Sequence, residues 1–248
     1  MIKRYGIIGC GMMGQEHLRN INLINDAIAY AIYEPNINMQ KMAKKLAPDA
    51  KFYDSLDKIL SDENIDCWLI VSPNHLHMDQ LEQLAGIPHR PILVEKPLFT
   101  EIKHLERIKN FSIKYSAPVW VAMEYRYMPP IAELIKRQNN VTGSIKMLSI
   151  REHRFPFLPK VDDWNRFNKN SGGTFVEKCC HFFDLMRLIT GSNPTKIMAS
   201  GGQAVNHLTE NYSGLVPDIW DHGYVIVEFE NNMRAMLELC MFAEGAKY

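Results

Sequence analysis

Three side chains in the stretch GGTFVEKCCHFFDLM, residues 172–186, are spaced for proton transfer. Glu177, His181 and Asp184 follow one another at steps of four and three. In a helix, which turns by about 100° per residue, those steps bring all three to one face. An imidazole between carboxylates titrates near neutral pH and suits general acid–base work. The same stretch carries Cys179 and Cys180. Neighbouring residues on a helix diverge, so the two thiols do not converge on one ion, and the chain has no C-x-x-C pair. No metal site is expected. Cys179 faces away from the acid–His–acid face and reads as a small apolar packing residue.

A second group of residues could hold a dinucleotide. GCGMMG places Gly9, Gly11 and Gly14 in a G-x-G-x-x-G, with Met12 and Met13 between the last two. The motif alone is weak. Here it follows an apolar run at the start of the chain and opens a helical pattern, and Glu34 ends the next apolar run twenty residues after Gly14. Gly9 suits the tight turn, Gly11 the close approach of backbone to pyrophosphate, and Gly14 the packing of helix on strand. A helix N-terminus supplies donors and positive potential for phosphate. Glu34 is expected to accept hydrogen bonds from the adenosine ribose. No Arg or Lys lies between Glu34 and Met39 to meet a 2′-phosphate, which favours NAD over NADP.

Two further clusters sit where predicted strands end. SPNHLH, 72–77, offers Ser72, Pro73, Asn74 and His77 to the nicotinamide side. The alternative is that Asn74 caps a helix and the histidines lie on the surface. EKP, 95–97, puts Glu95 and Lys96 beside the same crevice. A lysine there can polarise a substrate oxygen, or can simply pair with Glu95.

The elements that must position these residues follow from the apolar pattern. YGIIG, AIAYAIYE, CWLIVS, PILVEKP and PVWVAM are short apolar runs, with a brief strand at 52–53. Between them lie helical patterns, one with Met13, His17, Leu18, Ile21 and Ile24 in register, others at 39–46, 55–60, 73–85 and 101–115. This alternation predicts a doubly wound parallel α/β sheet over residues 1–123. Residues 124–248 read differently. A long strand at 144–155 leads into a Pro- and Asp-rich loop, then the 172–186 helix, then strands at 196–200, 223–230 and 234–242. That order predicts an α/β unit with a mostly antiparallel open sheet packed on one face.

Composition excludes several classes. The 28 basic and 28 acidic side chains balance, so no charge footprint favours nucleic acid or an acidic membrane. No apolar run is long enough to span a bilayer. The first strand begins almost at once, leaving no room for a signal peptide, and the five cysteines are odd in number and irregularly spaced. Both features point to reduced thiols and a cytoplasmic location.

The order of the four motifs, GCGMMG, SPNHLH, EKP and GGTFVEKCCHFFDLMRLITG, resembles the Gfo/Idh/MocA family (glucose–fructose oxidoreductase, inositol dehydrogenase, rhizopine catabolism), over nearly the whole chain. The resemblance implies a Rossmann domain followed by an α/β domain with a large, mostly antiparallel sheet. It implies oxidation or reduction of a hydroxyl or carbonyl on a sugar or cyclitol, with NAD as cofactor. By position, Lys96 matches the lysine of the family's E-K-P and His181 its catalytic histidine. Glu177 stands where inositol-type members carry Asp, and Asp184 matches an acid often found three residues after the histidine. His181 would then take the hydroxyl proton, Lys96 would donate to the same oxygen, and Glu177 would orient His181 or bind a hydroxyl. Arg126, Asp163, Trp164 and Asp184 are expected substrate contacts, with Asp218 and His222 as further candidates.

Other readings on the same fold are a non-catalytic dinucleotide sensor and the family's NAD-dependent glycosidases. Relatives usually continue past RAMLELCMF with further strands. The expectation is therefore an incomplete sheet with an exposed edge or apolar face near 237–242, and a homo-oligomer formed through the C-terminal sheet.

Overall fold

The computed structural model describes residues 1–243. The chain divides into two units, Met1–Ala122 and Met123–Tyr248, one residue before the expected boundary.

In the first unit the strands are β1 (Lys3–Ile8), β2 (Ala27–Tyr33), β3 (Lys51–Tyr53), β4 (Cys67–Ile70), β5 (Ile92–Val94) and β6 (Val119–Val121). All pair in parallel, in the order β3-β2-β1-β4-β5-β6. The helices are α1 (Met12–Ile21), α2 (Ile37–Leu46), α3 (Leu56–Leu60), α4 (His77–Ala85) and α5 (Leu105–Lys114). The central strands are apolar throughout because helices cover both faces: Ile7 and Ile8 of β1, and Leu69 and Ile70 of β4, are all buried. Strand order reverses between β1 and β4, and ligands bind outside the carboxyl ends of strands at such a point. Gly9, Ser72 and Glu95 follow the ends of β1, β4 and β5. They are laced to the sheet by Gly9 N–H to Tyr33 O, Val71 N–H to Ile8 O and Glu95 N–H to Ile70 O, at 2.8, 2.8 and 2.9 Å.

The second unit contains α6 (Pro129–Val141), β7 (Met147–His153), α7 (Asn168–Ser171), α8 (Thr174–Glu177), α9 (Cys180–Thr190), β8 (Pro194–Gly202), β9 (His222–Phe229) and β10 (Arg234–Cys240). The sheet order is β7-β10-β9-β8. β8, β9 and β10 are antiparallel, as expected, but β7 runs parallel to β10, so the sheet is mixed. The long connection from β7 through α7–α9 returns the chain in the same direction, which local patterning does not reveal. On one face Val225, Val227 and Phe229 of β9 and Ala235, Leu237 and Leu239 of β10 pack against Cys179, Phe182 and Met186.

Two expectations for this unit are corrected, and one helix is new. The 172–186 stretch is not one helix: α8 ends at Glu177, α9 starts at Cys180, and Lys178 and Cys179 form the joint. Gly172 and Gly173, at φ +81° and +79°, set the entry. α6 was not predicted, although Pro129 and Pro130 at its first positions are a helix-start signal. The 237–242 strand is no edge, because β10 pairs on both sides and Leu237, Leu239 and Met241 are buried. Exposed large apolar residues of the sheet are instead Tyr224 and Ile226 of β9, Ile197 and Met198 of β8, and Met147 at the start of β7.

Candidate functional site

The glycine turn of the first unit has the build a dinucleotide needs. Gly9 has φ +88°, and a Cβ there would lie 2.6 Å from Ser72 N, so no side chain fits. A Cβ on Gly14 would lie 2.9 Å from Gly9 O, so helix and strand meet closely only without one. A Cβ on Gly11 would point into open space. Gly11 is the N-cap of α1, with no side chain on the first N–H groups and no acid in the first turn. Those N–H groups, at Met12 and Met13 among others, face outward with the positive end of the helix dipole. Met12 is exposed, and Met13 is half-buried against the core.

Glu34 ends β2 beside this turn and is 7% exposed. Its Oε2 accepts from Cys10 N–H at 2.5 Å and its Oε1 from Asn36 N–H at 2.7 Å. Each oxygen keeps one lone pair for a ribose hydroxyl. The neighbouring Asn36 caps α2 by accepting from the N–H groups of Asn38 and Met39.

At the end of β4 the Ser72 hydroxyl donates to Gln80 Oε1 at 2.6 Å, while Pro73 opens a single turn of 3₁₀ helix holding the buried Asn74. α4 begins without a side-chain cap, so Asn74 does not play that part. His77 is not on the surface. It is 0% exposed, with Nδ1 2.8 Å from Pro97 O and Nε2 3.0 Å from Ser72 O. Burial pushes its pKa down, against the pull of those carbonyls and of Glu95. His77 thus sits between the loop after β4 and the loop after β5, and its neutral ring, with one N–H, donates to one of the two carbonyls at a time.

Glu95 is buried, and its partner is a residue that helical spacing assigns only to packing. Its Oε1 lies 2.8 Å from His17 Nε2, and its Oε2 accepts from Lys96 N–H at 3.1 Å. Burial alone would raise the Glu95 carboxyl. His17 and the Lys96 charge outweigh it and hold the carboxyl below its ordinary value. Lys96 follows as a half-buried side chain.

In the second unit Glu177 ends α8, while His181 and Asp184 lie in the first turns of α9. Glu177 is 7% and His181 2% exposed. The His181 ring stacks on Tyr125, with centroids 4.1 Å apart and planes at 7°, and its Nε2 lies 3.7 Å from Glu124 Oε1. Asp184 does not stand open to a substrate: Arg126 Nε donates to its Oδ2 at 2.5 Å, and Arg126 makes a second bond to its Oδ1. The two expected substrate contacts are thus a bidentate pair, and Asp184 holds the Arg126 guanidinium still more firmly protonated than usual. Asp163 lies in a turn at φ +45° beside the half-buried Trp164. Asp218 accepts from Asn168 N–H at 2.7 Å, and His222 Nδ1 sits 2.8 Å from Asp221 Oδ1.

One residue that spacing did not single out joins this cluster, and Cys179 beside it packs in the core, as its spacing predicts. Lys178, at the joint, is nearly closed to solvent. Its Nζ donates to Tyr125 Oη at 2.5 Å and lies 3.1 Å from Glu152 Oε1 of β7. Cys179 is fully buried in the core, where burial pushes its thiol far up, beyond any reactive range. Among the described residues no group of three or more His, Cys, Asp and Glu could hold a metal ion.

Comparison with known proteins places this geometry. Residues 3–123 match the oxidoreductase family, NAD-binding Rossmann fold, and residues 133–248 match the C-terminal alpha/beta domain of the same family. The chain belongs to the Gfo/Idh/MocA oxidoreductase family. The chain is 26% identical over 237 residues to the myo-inositol 2-dehydrogenase of Thermotoga maritima, covering 95% of this chain and 67% of that protein. It is 27% identical over 241 residues to the inositol 2-dehydrogenase of Corynebacterium glutamicum strain R, covering 95% and 66%. Other curated relatives are covered over as little as 58% of their length, so the chain spans about two thirds of them or less. The fold matches that of the WlbA dehydrogenase of Bordetella pertussis, solved with NADH and UDP-GlcNAcA. The TM-score is 0.84 at 18% identity, covering 100% of this chain and 69% of that one. No described helix is long and apolar enough to cross a membrane.

Proposed function

We propose that this Gfo/Idh/MocA chain is an NAD-dependent dehydrogenase acting on a CH–OH group of a sugar or inositol-type polyol. The observation that carries the reading is a buried imidazole, His181, stacked on Tyr125 with its Nε2 3.7 Å from Glu124 Oε1, in a chain whose other unit has a glycine turn built for a dinucleotide. The names of the inositol dehydrogenase relatives support the substrate class.

Bound NAD supplies the hydride acceptor. The α1 N-terminus and Gly11 hold the pyrophosphate, and Glu34 takes the ribose hydroxyls. His181 accepts the substrate hydroxyl proton as the carbinol is oxidised. Lys96, at the end of β5 with its backbone N–H on Glu95, is the donor suited to stabilise developing negative charge on a substrate oxygen. Glu177 orients the imidazole or a neighbouring substrate hydroxyl. Ser72, Pro73 and Asn74 line the nicotinamide side. Arg126 and Asp184 act as one braced pair, while Asp163 and Trp164 are the loop contacts to substrate.

A panel of inositols and sugars, assayed for NADH formation on the purified chain, tests this. Turnover of at least one cyclic polyol is expected. Tight NAD binding with no turnover across the panel defeats the dehydrogenase reading and leaves a dinucleotide sensor. Association into a homo-oligomer through the C-terminal sheet is proposed from the exposed Tyr224, Ile226, Ile197 and Met198, and light scattering checks it.

A further inference from the structure

We propose that Tyr125, braced by Lys178, is a positioning residue that fixes the plane of the His181 ring and sets how readily that ring takes a proton. The inference rests on the reading of His181 as the proton acceptor. Tyr125 lies in the 3₁₀ turn Glu124–Tyr127, far from His181 in sequence. Its ring covers the imidazole in a near-parallel stack, so the imidazole cannot turn about its side-chain bond without losing that contact.

The Tyr125 ring is itself held twice. The edge of Phe182 meets it at 5.7 Å and 68°, and Lys178 Nζ donates to its hydroxyl oxygen. A lysine is almost never buried without partners. Lys178 has Tyr125 and Glu152, and Glu152 also faces Arg154 at 3.7 Å. The charges around His181 are therefore Glu124 at 3.7 Å, Glu177 one turn earlier, Lys178 on the Tyr125 ring, and Arg126 and Asp184 bound to each other.

The two supports act on the imidazole in opposite directions. A tyrosine face favours the protonated ring by the attraction of cation to π-system. The Lys178 ammonium, 4.9 Å from the same tyrosine centroid, disfavours it. Variants of the full chain separate them. Tyr125→Phe keeps the stack and removes one of the two acceptors of Lys178, leaving Glu152. Tyr125→Leu removes the stack, and Lys178→Met removes the ammonium at similar volume.

Histidine-labelled protein, with the His181 signals assigned by His181→Asn, gives a readout that needs no turnover. Ring-current-shifted His181 signals are expected in wild type and Tyr125→Phe, and their loss in Tyr125→Leu. In turnover, Tyr125→Leu is expected to lower kcat by about tenfold with NAD affinity unchanged, and Tyr125→Phe to restore most of that loss. Lys178→Met is expected to move the acid limb of kcat/KM, and the His181 titration, upward by about half a pH unit. Unshifted His181 signals in wild type, or a Tyr125→Phe defect as deep as that of Tyr125→Leu, would overturn the proposal. If Tyr125→Leu does not fold, an unmoved titration in Lys178→Met does so instead. Full activity in His181→Ala would sink the proton-acceptor reading alone, because the spectra still decide whether Tyr125 holds the ring.

Discussion

The two units build their candidate sites from different materials. In the first, the groups offered to a ligand are mostly backbone: the outward N–H groups of α1, and the space left where Gly11 has no side chain. In the second, they are side chains already bound to one another: Arg126 to Asp184, Lys178 to Tyr125 and Glu152, and Tyr125 to His181. A backbone site is specified by where side chains are missing, so it tolerates no additions. A side-chain site is specified by mutual bracing, so removing one member leaves others unpartnered.

The largest expected effect sets cofactor capture apart from chemistry. Lys96→Ala and His181→Ala should each lower kcat by two to four powers of ten, about 3–5 kcal/mol of barrier, with NAD affinity nearly unchanged. Steady-state kinetics with a separate NAD titration checks this, and equal losses in both quantities would erase the distinction.

Next come the glycines. Gly9→Ala forces a side chain into the left-handed region and against Ser72 N, at a cost of about 2–4 kcal/mol in stability. Gly11→Ala meets no atom of the protein and should leave thermal unfolding unchanged while weakening NAD binding. If Gly11→Ala lowered stability as much as Gly9→Ala, the cradle would be a packing feature instead.

A smaller effect probes the bracing of the second unit beside His222. Asp221 is buried, and its carboxylate accepts from the N–H groups of Ala204, Val205 and Asn206. Burial would raise its pKa, but those donors and His222 outweigh burial and hold it below the ordinary value. A carboxyl depressed by folding contributes fully above its unfolded pKa, near about 4, and its contribution is lost as pH falls through the folded value. Asp221→Asn should therefore cost about 1–3 kcal/mol at neutral pH, with the difference from wild type shrinking below about pH 4. Denaturant melts across that range are the measurement.

The smallest effect returns to the first unit. Glu34→Ala should narrow the preference for NAD over NADP by about tenfold, roughly 1.4 kcal/mol, in paired dissociation constants. A wild-type preference for NADP would contradict the placement of Glu34 on the ribose.

Much of the first unit was legible because its signals are local. Strand–turn–helix punctuation and an acid at the end of the second strand belong to short windows, and both appear where the spacing put them. The pairing of His17 with Glu95 was not legible, because helical spacing assigns His17 to packing and only the parallel register of the sheet brings α1 beside the end of β5. The same holds for His77, whose two carbonyl partners lie on separate loops.

By itself the sequence determined the alternation of strands and helices and the glycine turn with its acid, while the single helix that it predicted over Glu177, His181 and Asp184 is in fact two. Periodicity and steric demand act over a few residues and need no partner to be read. Only the tertiary structure decided that β7 runs parallel to β10, that the helix breaks at Lys178 and Cys179, that Arg126 closes on Asp184, and that Tyr125 lies flat on His181. Each depends on segments distant in the chain being brought together by burial of the apolar face of β9 and β10, and a hydrogen bond or stack across that distance leaves no periodic trace in the order of residues.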